Sequence, residues 1–443
     1  MARSRDSLAP LERQAVEEIE GRRDELVRLT AELIGFDTTA REPGRAARDE
    51  AALQEHLARR LADVGAETEL WEPRAEELAG SRLVPPGTSF AGWPQMLARF
   101  PGRGGGRSLL LNGHIDVVSS EPRERWASDP NRAEVRDGKL YGRGACDMKG
   151  GVAAMVLAAK VVASLPVRLA GDLLVCTVTD EETTGAGAAA AIARGVRADA
   201  GIVAEPSSFD VWTACRGSLI PTIVVEGRPG HAGLPQPHWS EGGAVNAIEK
   251  MSVVMDALRR LQEEWRLRPD HRHPRLSRGD IVATRIDGGE WTVSYPASCR
   301  ITYHVEYLPA HADEEGWGGP VQREIAECVE RAARIDSWLA QHPPVITWEP
   351  GEVPAAEVPE DHPIVQVTLE AAAAVGRPGR VAGFDNWHDG ATFTRAGGTP
   401  SVAFGPRAAR LAHTVDEHVP VDDLVACAQA IAVAAIRFCG VRQ

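Results

Sequence analysis

The 443-residue sequence contains no run of about 18 apolar residues, the length a membrane-spanning helix needs, so composition excludes such a span. Cationic charge is also short. Only 49 lysines and arginines stand against 63 aspartates and glutamates, giving a formal net charge of −14. Contacts to phosphate need a basic surface, so a general nucleic-acid binder is excluded. Cysteine is sparse: Cys146, Cys176, Cys215, Cys299, Cys328, Cys427 and Cys439 are dispersed without paired spacing. An odd, scattered set fits a reducing cytoplasm and excludes a disulfide scaffold or a zinc-finger frame. The opening stretch MARSRDSLAPLERQAVEEIEGRRDELV lacks the apolar segment of a secretory signal, so a cytoplasmic location is expected. No GxSxG nucleophile elbow, P-loop or well-placed dinucleotide motif occurs.

What remains is a globular composition, 43% hydrophobic and 25% charged, in a chain long enough for two domains. Residues 10–35 and 47–65 read as amphipathic helices, followed by the strand TELWE and a Pro- and Gly-rich loop over roughly 72–105. The strand SLLLNGHIDVV, a helix from about Lys149, the strand GDLLVCTVT, a helix from about Gly185 and the strand AGIVAE follow. Strands alternating with helices predict a doubly wound, mostly parallel α/β sheet with helices on both faces. Near Ala214 the order becomes β-α-β-β-α-β, the pattern of a compact α/β sandwich. After the Pro-rich GEVPAAEVPEDHP the first pattern resumes. The expected organisation is a catalytic domain from 1–213 and 355–443, with a smaller sandwich domain inserted at 214–354.

In open α/β sheets, ligands bind beyond the carboxyl ends of the strands. His114 and Asp116 close one strand, and their i, i+2 spacing lets both face one site. Asp147 lies in the glycine-flanked GRGACDMKGG, Glu181 and Glu182 close GDLLVCTVT, and Glu205 closes GIVAE. His413 follows TPSVAFG after a short loop. Histidines and carboxylates on convergent loops suit borderline-soft divalent metals, zinc foremost, and a donor set this large suits two ions roughly 3.5 Å apart. Each residue also has a plainer reading. Asp147 could be a helix cap, Glu205 a strand end, and the acidic run Asp180–Glu181–Glu182 a charged surface turn.

Six motifs in order, LLNGHIDVV, YGRGACDMKGG, TVTDEETTGAG, GIVAEPS, GRPGHAG and AHTVDEHVPVDDL, resemble the M20 metallopeptidases and deacylases, over about residues 25–440. That family includes aminoacylases, carboxypeptidases, acetylornithine deacetylases and succinyl-diaminopimelate desuccinylases. The resemblance implies a dinuclear zinc hydrolase, with Co2+ or Mn2+ as possible substitutes, acting on linear amide bonds of a small N-acylated substrate. It makes Asp147 the bridging carboxylate, His114 and Glu205 the other ligands of one ion, and Glu182 and His413 those of the second. Asp116 would hydrogen-bond His114, Glu181 would be the general base, and His231 in GRPGHAG would stabilise the oxyanion, reaching a partner's site in a homodimer. Two departures stand out: Cys146 where the family has a smaller residue, and Glu306 in VEYLP where many relatives have an arginine. Arg285, and Asn386, His388 and Asp389 in FDNWHDGATF, are the candidate substrate contacts, with a structural turn the alternative for the last three. The expected reaction is deacylation of an N-acyl amino acid or related amine. A dipeptidase or carboxypeptidase, and a non-catalytic interaction protein of the same fold, are the alternatives.

Overall fold

The structure is a computed structural model that describes residues 8–40, 46–407 and 409–442. The first seven residues of the stretch read for a signal lie outside them. The chain divides into two compact units. One comprises the chain through Ala214, Glu357–Phe384 and the residues from His388 onward; the other comprises Cys215–Ala356 with Asp385–Trp387.

The first unit is built on a large sheet ordered Glu67–Trp71, Gln95–Phe100, Leu173–Val178, Leu109–His114, Ala200–Val203, Ser401–Ala403 and Val211–Cys215. Its central four strands are parallel and its flanks antiparallel. The central sequences LLVCTV, LLLNGH and AGIV are buried at every position, as strands covered on both faces must be. Helices α1 (Pro10–Gly21), α2 (Arg23–Gly35) and α3 (Glu50–Ala62) precede or flank the first strands. The single helix expected over 10–35 is therefore two, broken at Arg22 just after Gly21, a residue whose backbone freedom weakens a helix interior. The expected 72–105 loop contains the strand Gln95–Phe100, whose short QMLARF run is hidden among Pro and Gly.

Helix α4 (Lys149–Ser164) is buried from Lys149 through Val162, which explains why KGGVAAMVLAAKVV is apolar on all sides. It packs against α10 (Val421–Cys439), a second helix buried along almost its whole length. Each fully buried Val or Leu on these surfaces contributes roughly 1.5–3 kcal/mol. α5 (Ala186–Ala193) contacts the short α9 (Asp389–Arg395). α8 (Pro363–Ala374) also packs on α10.

The second unit is a five-stranded antiparallel sheet, Gly217–Leu219, Ser298–Tyr307, Pro221–Glu226 and Val345–Trp348 in order, with Asp280–Gly288 paired to Ser298–Tyr307. Along SCRITYHVEY the inward positions Cys299, Ile301, Tyr303, Val305 and Tyr307 are all buried, the period-2 signature of a sheet covered on one face. They pack against α6 (Ala247–Leu267) and α7 (Gly319–Ile335) through Met251, Val254, Leu258, Val321 and Ile325. The expected β-α-β-β-α-β order is present, with its first strand interrupted at Ile220.

One contact sets how closely α4 approaches the strand end at Glu205. A Cβ at Gly151 would lie 2.0 Å from the carbonyl oxygen of Ala204. Gly151→Ala should gain helix propensity yet lose about 1–3 kcal/mol of stability from the forced shift. Denaturant unfolding measures the balance, and a variant as stable as the parent would show that the approach relaxes freely.

Candidate metal centre

The strand Leu109–His114 delivers His114 at its carboxyl end, 1% exposed. Its Nδ1 donates to the main-chain carbonyl of Asp116 at 2.9 Å, which leaves Nε2 facing the acids. That Nε2 lies 3.2 Å from Asp147 Oδ1, 3.9 Å from Glu181 Oε2 and 4.0 Å from Glu205 Oε1. The hydrogen bond expected between Asp116 and His114 runs through the main-chain carbonyl, not the carboxylate. Asp116 Oδ1 is 3.7 Å from Nδ1, and the two carboxylate oxygens instead accept the backbone N–H groups of Glu181 and Glu182 at 3.3 and 3.0 Å.

The acidic turn is closed by Asp180, which the sequence left without a role beyond a surface turn. Asp180 is 2% exposed with φ +72°, and its carbonyl accepts the N–H groups of Thr184 and Gly185 while its carboxylate takes the Thr184 hydroxyl. The turn thereby holds Glu181 and Glu182 where the strand ends. Across from it, His413 Nε2 lies 3.1 Å from Glu182 and 3.3 Å from Asp147 Oδ2. His413 has φ +63°, a left-handed conformation uncommon for a side-chain-bearing residue and concentrated at functional sites.

Two donor sets result. His114, Asp147 and Glu205 form one, and Asp147, Glu182 and His413 the other, each with its ligand atoms within 4.8 Å of one another. Asp147 belongs to both. Burial, then the negative charge of Asp147, pushes the Glu205 carboxyl up to about 8. Burial also raises Glu182 and lifts Glu181 well above the usual carboxyl range. For Asp147, burial acts upward, but hydrogen bonds from His114 and His413 outweigh it and hold the group low. Those same bonds to Asp147 and Glu182 draw His413 up to about 10. Glu205 Oε1 is shielded from solvent and has no hydrogen-bond partner. An orphaned carboxylate oxygen 4.0 Å from an imidazole nitrogen, too far for a hydrogen bond, is what a divalent cation would satisfy, and nitrogen and oxygen donors suit zinc.

The remaining candidates are not gathered in one place. His231 belongs to the second unit, where its Nδ1 accepts the Gly233 N–H at 3.0 Å. Arg285 is exposed and committed to Asp287 at 2.7 Å, and Asn386 is exposed in the segment Asp385–Trp387. His388 is buried and caps α9, accepting the Gly390 N–H on Nδ1 at 3.1 Å. Glu306 pairs with Arg216 at 2.7 Å. Cys146 is fully buried in the core, as a small apolar residue would be. A third grouping, Asp270, His271 and His311, holds its two imidazoles with centroids 3.9 Å apart and planes tilted by 36°, and His271 also stacks on Trp265.

Sequence reading missed Glu417, buried beside Asp147, because nothing in the run Asp416–Glu417–His418 distinguishes the buried acid from its neighbours. Asp389 is buried too, and neither of its carboxylate oxygens has a partner. Burial drives its carboxyl up to about 8. An acid raised in the folded state holds a proton that the unfolded chain releases, so stability falls as pH rises from the unfolded value, about 3.9, through 8. Asp389→Asn should therefore raise the melting temperature of chelator-treated protein at pH 8 and leave it unchanged near pH 4. Equal shifts at both pH values would show that Asp389 does not titrate this way.

Residues 110–437 match the family model described as peptidase family M20/M25/M40. The chain is 28% identical over 422 residues to N-formyl-4-amino-5-aminomethyl-2-methylpyrimidine deformylase of Bacillus subtilis, covering 92% of this chain and 93% of that one. It is 31% identical over 330 residues to succinyl-diaminopimelate desuccinylase of Xanthomonas oryzae pv. oryzae, covering 72% and 80%. Among solved structures, aminopeptidase PepT from Bacillus cereus superposes with a TM-score of 0.70 at 18% identity, over 93% of this chain and 98% of that one. The YXEP protein of Bacillus subtilis, described as a dinuclear metal-binding peptidase of the M20 family, does so with 0.64 at 14%, over 95% and 99%. The structural likenesses establish the fold, and with the family match over most of the sequence they make this chain a member of peptidase family M20/M25/M40.

Proposed function

We propose that the protein is a metal-dependent amidohydrolase that removes the acyl group from a small N-acylated amine, an N-acyl amino acid or a related compound. The observation that carries this reading is the pair of donor sets sharing Asp147, with Glu181 beside them but in neither. The deformylase and desuccinylase relatives support a short acyl group. His114, Asp147 and Glu205 would hold one divalent ion and Asp147, Glu182 and His413 the other, with zinc the best match to two imidazoles and carboxylates. Bound there, the ions would polarise the amide carbonyl and lower the pKa of water.

Glu181 is left for the proton. Its carboxyl, 11% exposed and 3.9 Å from His114 Nε2, would take a proton from the attacking water and deliver it to the departing amine nitrogen. Asp116 keeps this base in place through the two backbone N–H groups that its carboxylate accepts. His231, with Nδ1 occupied as an acceptor, is the tautomer that offers Nε2–H to a developing oxyanion. A homodimer through the second unit is supported by its exposed edge strand Asp280–Gly288 and by exposed Val282, Ile286, Trp291 and Val293. A cytoplasmic setting agrees with seven free, buried cysteines.

Glu181→Gln should lower kcat by about 10²- to 10⁴-fold with metal content unchanged. N-formyl and N-succinyl amines should be cleaved in preference to dipeptides. Full activity in the variant would remove Glu181 as the base, and faster dipeptide cleavage would make the enzyme a peptidase. For the assembly, sedimentation should give a dimer that Ile286→Asp with Trp291→Asp converts to monomer. A monomeric parent protein would end the dimer reading.

A further inference from the structure

The catalytic unit contains a buried ion pair that neither donor set uses. Arg143 and Glu417 have side chains only 4% and 1% exposed, with Nη1 2.6 Å from Oε2. Glu417 Oε1 also accepts two consecutive backbone N–H groups, those of Cys146 at 2.9 Å and Asp147 at 3.1 Å. Arg143 Nη2 donates to the carbonyl of Ser119 at 3.1 Å, and its guanidinium lies 5.0 Å from the Trp126 ring. The Glu417 carbonyl accepts the Gly142 N–H at 3.0 Å. Glu417 therefore ties its own segment twice to 142–147.

Each segment meeting at this pair carries a donor. Ser119 lies five residues beyond His114, Asp147 is bound directly, and His413 lies four residues before Glu417. A buried ion pair is weak evidence for stability, because desolvation offsets most of its attraction. This one sits where three loops must be held at fixed spacing. Two N–H groups on one carboxylate oxygen fix the Cys146–Asp147 peptide, and with it the direction in which the shared Asp147 side chain leaves the chain. The carboxylates of Asp147, Glu182 and Glu205 repel one another before any cation arrives, so loops free to move would drift apart. We infer that Glu417, paired with Arg143, is a positioning residue that holds Asp147 and the His413 loop at metal-binding separation and so sets the affinity of the centre.

This inference rests on the dinuclear reading above, and its test separates the two. Glu417→Asp keeps the buried charge but withdraws it by one methylene, while Glu417→Gln keeps an acceptor oxygen but loses the charge facing Arg143. Metal affinity is read by chelator competition with Zn2+, and the spacing of the ions by the exchange-coupled EPR signal of the Mn2+-loaded protein. Outer partners of metal ligands typically change affinity by about 10- to 100-fold. A loss of that size, with weakened coupling and unchanged far-UV circular dichroism, is expected for both variants. If Glu417→Gln fails to fold, Glu417→Asp carries the test. A lowered melting temperature of the metal-free variants with parental affinity and coupling would make the pair purely structural and overturn the inference. A parent protein that takes up fewer than two ions would instead remove the dinuclear reading, and the inference with it.

Discussion

Bringing acids together out of water is the constraint around which the first unit is arranged. Asp147, Glu181, Glu182 and Glu205 converge with His114 and His413 in a space where each carboxylate raises the cost of ionising the others. The two imidazoles offset only part of that cost, most visibly at Asp147. The orphaned oxygen of Glu205 is the residue of the same imbalance. Such a cluster persists only if the backbone beneath it is held from other directions, and the surrounding hydrogen bonds do this. The Asp116 carboxylate pins the Glu181–Glu182 backbone, Asp180 closes the turn, and Glu417 pins Cys146–Asp147.

The frame under those anchors is a parallel sheet core with helices apolar on every side. α4 begins right after the Asp147–Met148 peptide, and its first turn passes the strand end at Ala204 at a distance only glycine allows. The helix start, Asp147 and the strand leading to Glu205 are thus fixed relative to one another by backbone packing. Donors at the ends of rigid elements need little reordering to bind, which is what pre-organisation contributes to affinity. The second unit has a different economy: one face of its sheet is buried by α6 and α7, and its edge strand Asp280–Gly288 is exposed along most of its length.

The elements that hold the candidate donors were legible because their patterns are local. Continuous apolar runs named the central strands, and acids or histidines at their carboxyl ends named His114, Glu182 and Glu205. The alternation in SCRITYHVEY likewise announced a half-buried strand. Elements without a local signature escaped: QMLARF is too short and too embedded in Pro and Gly to show a period, and the break at Arg22 lies inside an otherwise continuous amphipathic pattern. Asp116 shows the limit at atomic scale. Its place beside His114 follows from i, i+2 spacing, whereas the use of its carbonyl for the imidazole and its carboxylate for the neighbouring turn depends on where that turn comes to rest.

Residue type and order along the chain therefore determined the fold class, the family and the candidate donors, since strand ends and motif spacing are written in one dimension. Burial and pairing between distant segments were decided only by the tertiary structure. Glu417 and Arg143 are 274 positions apart, and Asp180 looks like a solvated acid until neighbouring elements close over it. The physical reason is that a charged side chain has the same sequence signature in water and in the core. Its desolvation, and the partners that offset it, come into being when the chain folds around it.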